Sequence, residues 1–514
     1  MPAPQALFDR ATLAFLAFAA GLLWLRVWGL MASPLDLHFD EAQYWSWSQT
    51  LEWGYFSKPP LIAWAIAGVT SIFGDAEWAV RLSAPVAHTI GALALFALGR
   101  SMFGPWQGFW AGITWLVLPA VWLSSGIIST DALLLPLWSV ALFALWRLIA
   151  TRAWFWAAFL GVIVGLGLLT KYAMLYFFMC AALAAWWAPP ARQVLVNARG
   201  AVAVLVALAI WSPNLYWNLQ HHFATVSHTA SNARFSGPLF NPDELLEFIT
   251  SQIGVLGPVL FALMIGLFLR SLRRAAGLTN EDKLLLAFIL PPLLLIMAQA
   301  FFSRANANWA ATAYPAAAVW IAGNLFAWRR GPKLLFVAAL VNALLGGAFA
   351  ALAINPAIAD QHKALANSIK RARGWEETAH EVAMRATAAP GDAPFTAVLV
   401  DHRSLFYELS YYWREARRAG EPLPPLRMWL LNAEAGNSAE ANDPMRVEEG
   451  ARVLVVNVRS DYLPKVAGDF TAFRHVEHIS IPLGGGKDRD LDFSVGEGFA
   501  PAPRTEHGAR DDDD

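Results

Sequence analysis

The stretch WFWAAFLGVIVGLGLLTKYAMLYFFMCAALAAWW, residues 154–187, carries a single charged residue, Lys171, in 34. An α-helix needs about 20 apolar residues to cross the hydrocarbon core of a bilayer. The run is long enough for two crossings back to back, with the turn between them at Lys171. Outward from it the same texture continues: of 514 residues, 57% are hydrophobic, 13% aromatic and 15% charged, and the mean hydropathy is +0.42. Soluble globular chains carry roughly 25% charged and about 45–50% apolar residues. The excess excludes a soluble enzyme, a secreted toxin and a transcription factor. A net charge of −1 leaves no footprint for nucleic acid. The one cysteine, Cys180, lies inside the apolar run, which excludes an intramolecular disulfide and a cysteine metal cluster.

Apolar stretches of this kind predict about eleven transmembrane helices, near 11–30, 81–99, 107–124, 131–147, 154–170, 172–188, 201–218, 249–269, 284–302, 309–327 and 334–354. The first is expected to be a retained helix, since no small-residue cleavage site follows a short apolar core. Arg10, Arg100, Arg147, Arg152, Arg192, Arg199, Arg270, Arg273, Arg274, Lys283, Arg329, Arg330 and Lys333 all fall on one side. The positive-inside rule makes that side cytoplasmic. The other side holds Lys58, Arg81, Lys171, Arg234 and Arg304, together with most of the acids of the block. Only 13 of the 39 Asp and Glu precede residue 355. The chain is therefore expected to divide into a membrane block, 1–354, with a long first outer loop, 31–80, and a water-soluble domain, 355–514. An odd number of spans places that domain outside as well. It alternates strand-like runs (FTAVLVD, ARVLVVNV, HISIPL) with helix-like ones (HKALANSIKRARGWEETAHEVAMRA, SLFYELSYYWREARRA), the pattern of a small periplasmic α/β domain, and ends in a solvated, disordered acidic tail, GARDDDD.

The first outer loop reads SPLDLHFDEAQYWSWSQTLEWGYFSKPPLIAW, residues 33–64. Asp40 and Glu41 fit a general base at the membrane surface, where partial desolvation raises carboxylate basicity. Acidic pairs are common, and taken alone this one is more readily two solvated loop acids, or the N-cap of the segment EAQYWSWS. Tyr44, Trp45, Trp47, Trp53 and Tyr55 are expected to form an amphipathic surface lying on lipid. Lys58, fixed by Pro59 and Pro60, is either a snorkelling anchor or a phosphate ligand. Lys171, Arg304 and Asp131 sit at outer ends of spans. Ionisable residues at such depth tend to mark substrate paths, although a helix cap or a headgroup contact explains each one singly. Together, two carboxylate positions and three cations on one membrane face fit an anionic lipid phosphate with a base beside it. His38, His88, His221, His222 and His228 lack the spacing of helical metal ligands, which favours structural or headgroup roles. No P-loop, dinucleotide fingerprint, GxSxG or HExxH is present.

Through HFDEAQYWSWS and YFSKPPLIAW, then GLLTKYA, SPNLYWNLQHHFATVSH and RANANWAATAYP, the sequence resembles the GT-C fold membrane glycosyltransferases. These include protein O-mannosyltransferases, aminoarabinose transferases acting on lipid A and, most strongly here, the bacterial lipopolysaccharide galacturonosyltransferase-like group. The resemblance covers most of residues 10–330. It implies a polytopic α-helical GT-C bundle, in which some relatives have up to about thirteen spans. It implies that Asp40 is the base for the acceptor hydroxyl, that Glu41 orients acceptor or loop, and that Asp131 is a further acid. Lys58 matches the lysine that contacts the donor phosphate. Lys171 and Arg304, with Tyr44, Tyr172 and Asn308 from the same stretches, are implied as further phosphate or sugar ligands. The donor would be a polyprenyl-phosphate sugar, transferred with inversion to lipid A, core or another envelope acceptor, with no cofactor required. A divalent ion at Asp40 and Glu41 is conceivable, because hard cations favour carboxylate oxygens, but the surroundings supply no ligand set. The setting implied is the bacterial inner membrane, with the active site on its periplasmic face. Two other classes stay open. A lipid-linked sugar flippase or transporter would carry mid-span charges and broken helices in paired halves. An envelope glycan polymerase or ligase would use a lipid diphosphate, against which the Asp-Glu and Lys-Pro-Pro set argues.

Overall fold

The computed structural model describes residues 9–231, 240–387 and 393–504; Arg234 and the acidic ending lie outside them. The chain forms two compact units. One is Met1–Ala32 with Glu52–Gly54 and Lys58–Ala351, the other Ser33–Leu51 with Tyr55–Ser57 and Leu352–Asp514.

The first unit is helical. Six of the described helices are long and apolar enough to cross a membrane: Arg10–Ala32, Glu77–Phe103, Thr130–Thr151, Ala198–Gln220, Asn280–Phe302 and Gly331–Ile354. Leu61–Phe73, Trp154–Leu168 and Tyr172–Trp187 are shorter apolar helices. The Leu61–Phe73 helix lies in what reads from sequence as outer loop. Packing follows small residues: a Cβ at Gly161 would lie 2.5 Å from the Ala203 carbonyl oxygen, and one at Gly165 would lie 2.7 Å from Ile210 Cβ. That GxxxG face lets the Trp154–Leu168 and Ala198–Gln220 helices approach closely where the hydrophobic effect supplies no drive between them. Deeper in the unit, the Trp138 ring meets Phe177 and Phe288 edge-on.

Two expected spans are broken. Pro105–Leu116 and Pro119–Gly126 bend by 56° at their junction, and Pro242–Leu256 and Pro258–Arg273 by 115°. In each, a proline opens the second helix, where its missing N–H costs nothing. The second break also needs Gly257, whose φ of 86° lies in the left-handed region. Both breaks free carbonyls, and side chains from other helices take them. Arg26 of the first helix donates from Nη2 to the Leu116 carbonyl at 2.7 Å, its guanidinium 5.0 Å over the Trp122 ring. Asn342 donates from Nδ2 to the Leu256 carbonyl at 2.8 Å. Arg26 escapes the sequence tally of charges, since an arginine within a span has no reason to be there until the break is seen.

The second unit is α/β. Its sheet has the order β2-β1-β3-β5-β4, with β1 Ala397–Val400, β2 Leu426–Met428, β3 Arg452–Asn457, β4 Phe470–Gly484 and β5 Lys487–Phe499. β1 pairs parallel with β2 and β3, whereas β5 runs antiparallel to β3 and β4. All of β1 is buried, as a central parallel strand covered on both faces should be. The start of the outer loop is built into this unit. The Leu37 amide donates to the Tyr412 hydroxyl at 3.0 Å, and the Trp375 amide to Asp36 Oδ2 at 2.7 Å. Trp45 meets Tyr411 edge-on at 5.0 Å, joining helix Phe39–Ser48 to helix Arg403–Tyr412.

Candidate active site

Helix Phe39–Ser48 separates the roles of its two acids. His38 is the N-cap: its Nδ1 accepts from the Asp40 amide at 3.2 Å, and its own amide donates to Glu41 Oε2 at 2.9 Å. This reciprocal box consumes Glu41, which is fully buried. Asp40 is left out of the cap. Its side chain keeps 41% exposure, with Oδ1 3.5 Å from Arg403 Nη1 and Oδ2 3.9 Å from His38 Nδ1. Burial holds His38 below its ordinary pKa and therefore neutral, as a cap acceptor must be.

The aromatic surface expected on lipid is corrected by this packing. Tyr44, Trp45, Trp47 and Tyr55 are buried, and of the five only Trp53 is exposed. Tyr44 lies against Trp47, whose ring stacks on Tyr55 at 4.7 Å, and the Tyr55 hydroxyl donates to the Trp47 and Thr50 carbonyls. The Tyr55 ring, with a protein face and two carbonyl acceptors, has no need of a lipid one.

In the membrane unit a second constellation forms where helix Thr130–Thr151 begins and helix Trp154–Leu168 ends. Ser129 caps the former by accepting from the Ala132 amide, so Asp131 in the first turn is not needed as a cap. Lys171 Nζ lies 2.8 and 3.0 Å from the two Asp131 oxygens, and Asn308 Nδ2 donates to Oδ2 at 2.7 Å. One carboxylate therefore fixes an ammonium and an amide, the three groups coming from three separate segments. Beside Lys171, the Tyr172 hydroxyl donates to Asn214 Oδ1 at 2.9 Å and accepts from Asn218 Nδ2 at 3.1 Å. Asn214 Nδ2 then reaches the Trp53 carbonyl at 2.7 Å, and Trp217 donates to Glu52 Oε2 at 2.8 Å. The half-buried Lys58 opens the turn that follows, and the Leu61 amide ties that turn to the Leu169 carbonyl at 2.8 Å. Arg304 is exposed between helix Asn280–Phe302 and the 3-10 helix Ala307–Ala313, which carries Asn308.

The structure thus brings Asp131, Lys171 and Asn308 into direct contact. It gives Asp40 a partner, Arg403, that sequence reasoning missed. Asn214 and Asn218 were missed too, although two asparagines four apart on an apolar helix share a face and signal a buried polar seam. Of the histidines, His88 bonds the Ser124 hydroxyl at 2.9 Å and His221 stacks on Trp217 at 3.9 Å. Among the described residues no three His, Cys, Asp or Glu side chains form a group that could hold a metal ion.

Residues 57–217 match the family model described as dolichyl-phosphate-mannose-protein mannosyltransferase. This span includes Lys58, Asp131, Lys171, Tyr172 and Asn214. Over 402 residues the chain is 37% identical to the lipid A galacturonosyltransferase RgtD of Rhizobium johnstonii, covering 77% of this chain and 81% of that protein. Among solved structures, ArnT from Cupriavidus metallidurans bound to undecaprenyl phosphate superposes with a TM-score of 0.63 at 14% identity, over 96% of this chain and 99% of ArnT. The apo form of ArnT gives 0.60 at 13% identity over the same shares.

Proposed function

The chain belongs to the GT-C membrane glycosyltransferases, in the group of the bacterial lipid A galacturonosyltransferases, and on that premise we propose that it transfers a uronic acid from a polyprenyl-phosphate donor to lipid A. The acceptor hydroxyl oxygen attacks the anomeric carbon, the bond from that carbon to the phosphate oxygen breaks, and the configuration inverts. The hydroxyl proton passes to Asp40, and polyprenyl phosphate leaves as an anion. Lys58, Lys171 and Arg304 are the cations assigned to that anion, which needs no separate general acid once its charge is held. Asn308, Tyr172 and Tyr44 are assigned to placing the donor or its binding surface. Glu41 orients the loop through the His38 cap, and Asp131 holds Lys171 and Asn308. The reaction is assigned to the periplasmic face of the inner membrane, with the α/β unit on the same side.

The observation that carries the base assignment is the contrast within the acidic pair: Glu41 is buried and used by the cap, whereas Asp40 is partly exposed and is not. The two helix breaks are the feature a transporter would share, but each freed carbonyl described above is taken by a side chain of this protein rather than left to line a path.

The test is Asp40→Asn on purified protein, with transfer and undecaprenyl phosphate binding measured side by side. Turnover should fall by ~10²–10⁴-fold, the usual contribution of a general base, with binding retained. Near-normal turnover would remove Asp40 from the role. Equal loss of binding and turnover would make it a donor ligand or a loop-shaping residue.

A further inference from the structure

Asp40 and Gln43 lie three residues apart and so share a face of their helix. Both are met by one side chain from the C-terminal region: Arg403 Nη1 is 3.0 Å from Gln43 Oε1 and 3.5 Å from Asp40 Oδ1. Its guanidinium also lies 5.0 Å over the Phe39 ring, which fixes the plane of the fork. Arg403 is itself firmly rooted. It opens helix Arg403–Tyr412, whose N-cap His402 accepts from the Ser404 amide. The preceding Asp401 is buried at the end of β1 and accepts from the Val458 and Arg459 amides and from Asn457 Nδ2, all at the end of β3. A planar, delocalised fork can serve a carboxylate and an amide together, which a lysine ammonium does less well.

We propose that Arg403 is a positioning residue for sugar transfer: it holds the Asp40 carboxylate in one orientation. The inference rests on the reading of Asp40 as the base. Arg403 offers only donors and takes no proton in the step; the proton still goes from the acceptor hydroxyl to Asp40. Without the bridge, a partly exposed aspartate on the first turn of a helix samples several rotamers. The loss then falls on turnover and not on donor affinity.

The experiment uses purified full-length protein with synthetic undecaprenyl-phosphate galacturonic acid and lipid A, comparing Arg403→Ala, Arg403→Lys and Gln43→Leu. Arg403→Ala should lower kcat by ~10–10²-fold, the scale of a base displaced by about 1 Å. Donor KM and undecaprenyl phosphate binding should stay at the wild-type level. Arg403→Lys should recover part of the loss, and Gln43→Leu should be milder than Arg403→Ala. Unchanged kcat in Arg403→Ala, or a change confined to KM, overturns the proposal. Should Arg403→Ala fail to fold, Arg403→Lys decides: reduced kcat at unchanged KM supports it, and wild-type kcat overturns it. Asp40→Asn run in parallel separates the two readings. Full activity there removes the base, whereas inactive Asp40→Asn beside fully active Arg403→Ala removes only the positioning role.

Discussion

Asp131 and Lys171 stand 40 residues apart in sequence and share one ion pair. Each is legible as a lone charge in apolar surroundings; that they meet, and that Asn308 joins them, is a tertiary fact. Asp131→Asn and Lys171→Met should each lower transfer, and the double variant should lose much less than the sum of the single losses, because residues in one network couple by about 0.5–3 kcal/mol. Strictly additive losses in measured turnover would show that the two act independently. Arg403, by contrast, looks like an ordinary polar residue until the fold places it, whereas the spacing of Asn214 and Asn218 on one apolar helix face is a signal the sequence does carry. His402 illustrates the same point and carries a pH signature. Burial, helped by Arg403 and Arg459, pulls it down to about 4 from an ordinary 6.5. A histidine held neutral in this way contributes stability that is whole above pH 6.5 and is lost as pH falls towards 4. Protonation would also remove the Nδ1 lone pair that accepts from the Ser404 amide. Asparagine caps a helix without titrating. In thermal melts between pH 6.5 and 4, His402→Asn should therefore flatten the decline in Tm seen for the wild type. An unaltered slope would assign the acid sensitivity to other groups.

Run length locates the six long apolar helices, but the expected span 309–327 is built as the 3-10 helix Ala307–Ala313 followed by the 12-residue helix Tyr314–Leu325, and helix Leu61–Phe73 reads from sequence as loop. Nor does run length locate breaks. The expected span 249–269 passes through Gly257 and Pro258, a turn signal hidden in an otherwise continuous apolar run, and the structure bends there by 115°. A Cβ at Gly257 would sit 1.8 Å from Asn342 Oδ1, on a backbone already at φ 86°. Gly257→Ala should lower the thermal stability of the detergent-solubilised protein, with strained backbone alone costing on the order of 1–3 kcal/mol. A wild-type melting temperature would show that the break relaxes freely. In the α/β unit, the runs FTAVLVD and ARVLVVNV mark β1 and β3, because buried parallel strands are uniformly apolar. β5 goes unread: its first half, KDRDLDF, opens on four consecutive charges that read as a solvated loop, and only pairing with β4 reveals it. The run from His362 to Ala386 reads as one helix, yet Gly374, at φ 73°, ends one segment before Trp375–Thr387 begins.

The division of acids along the chain predicts a boundary near residue 355, but not that Ser33–Leu51 folds with the C-terminal region. Sequence proximity assigns that stretch to the membrane block; the Tyr412, Trp375 and Tyr411 contacts assign it to the α/β unit. Helix Phe39–Ser48 and helix Arg403–Tyr412 must then lie on one side of the membrane. Reporter fusions after residue 60 and at the C-terminus should both give non-cytoplasmic signals if the positive-inside reading of Arg and Lys holds. A cytoplasmic signal from either would put Asp40 in the wrong compartment for a periplasmic transfer. If the protein modifies lipid A with a uronic acid, its product is written in the cell envelope itself. Mass spectrometry of lipid A from cells with and without the gene should show one uronic acid missing in its absence, restored by the wild-type protein and not by Asp40→Asn. Lipid A of identical mass in both strains, with the protein expressed in the parent, would contradict the assignment.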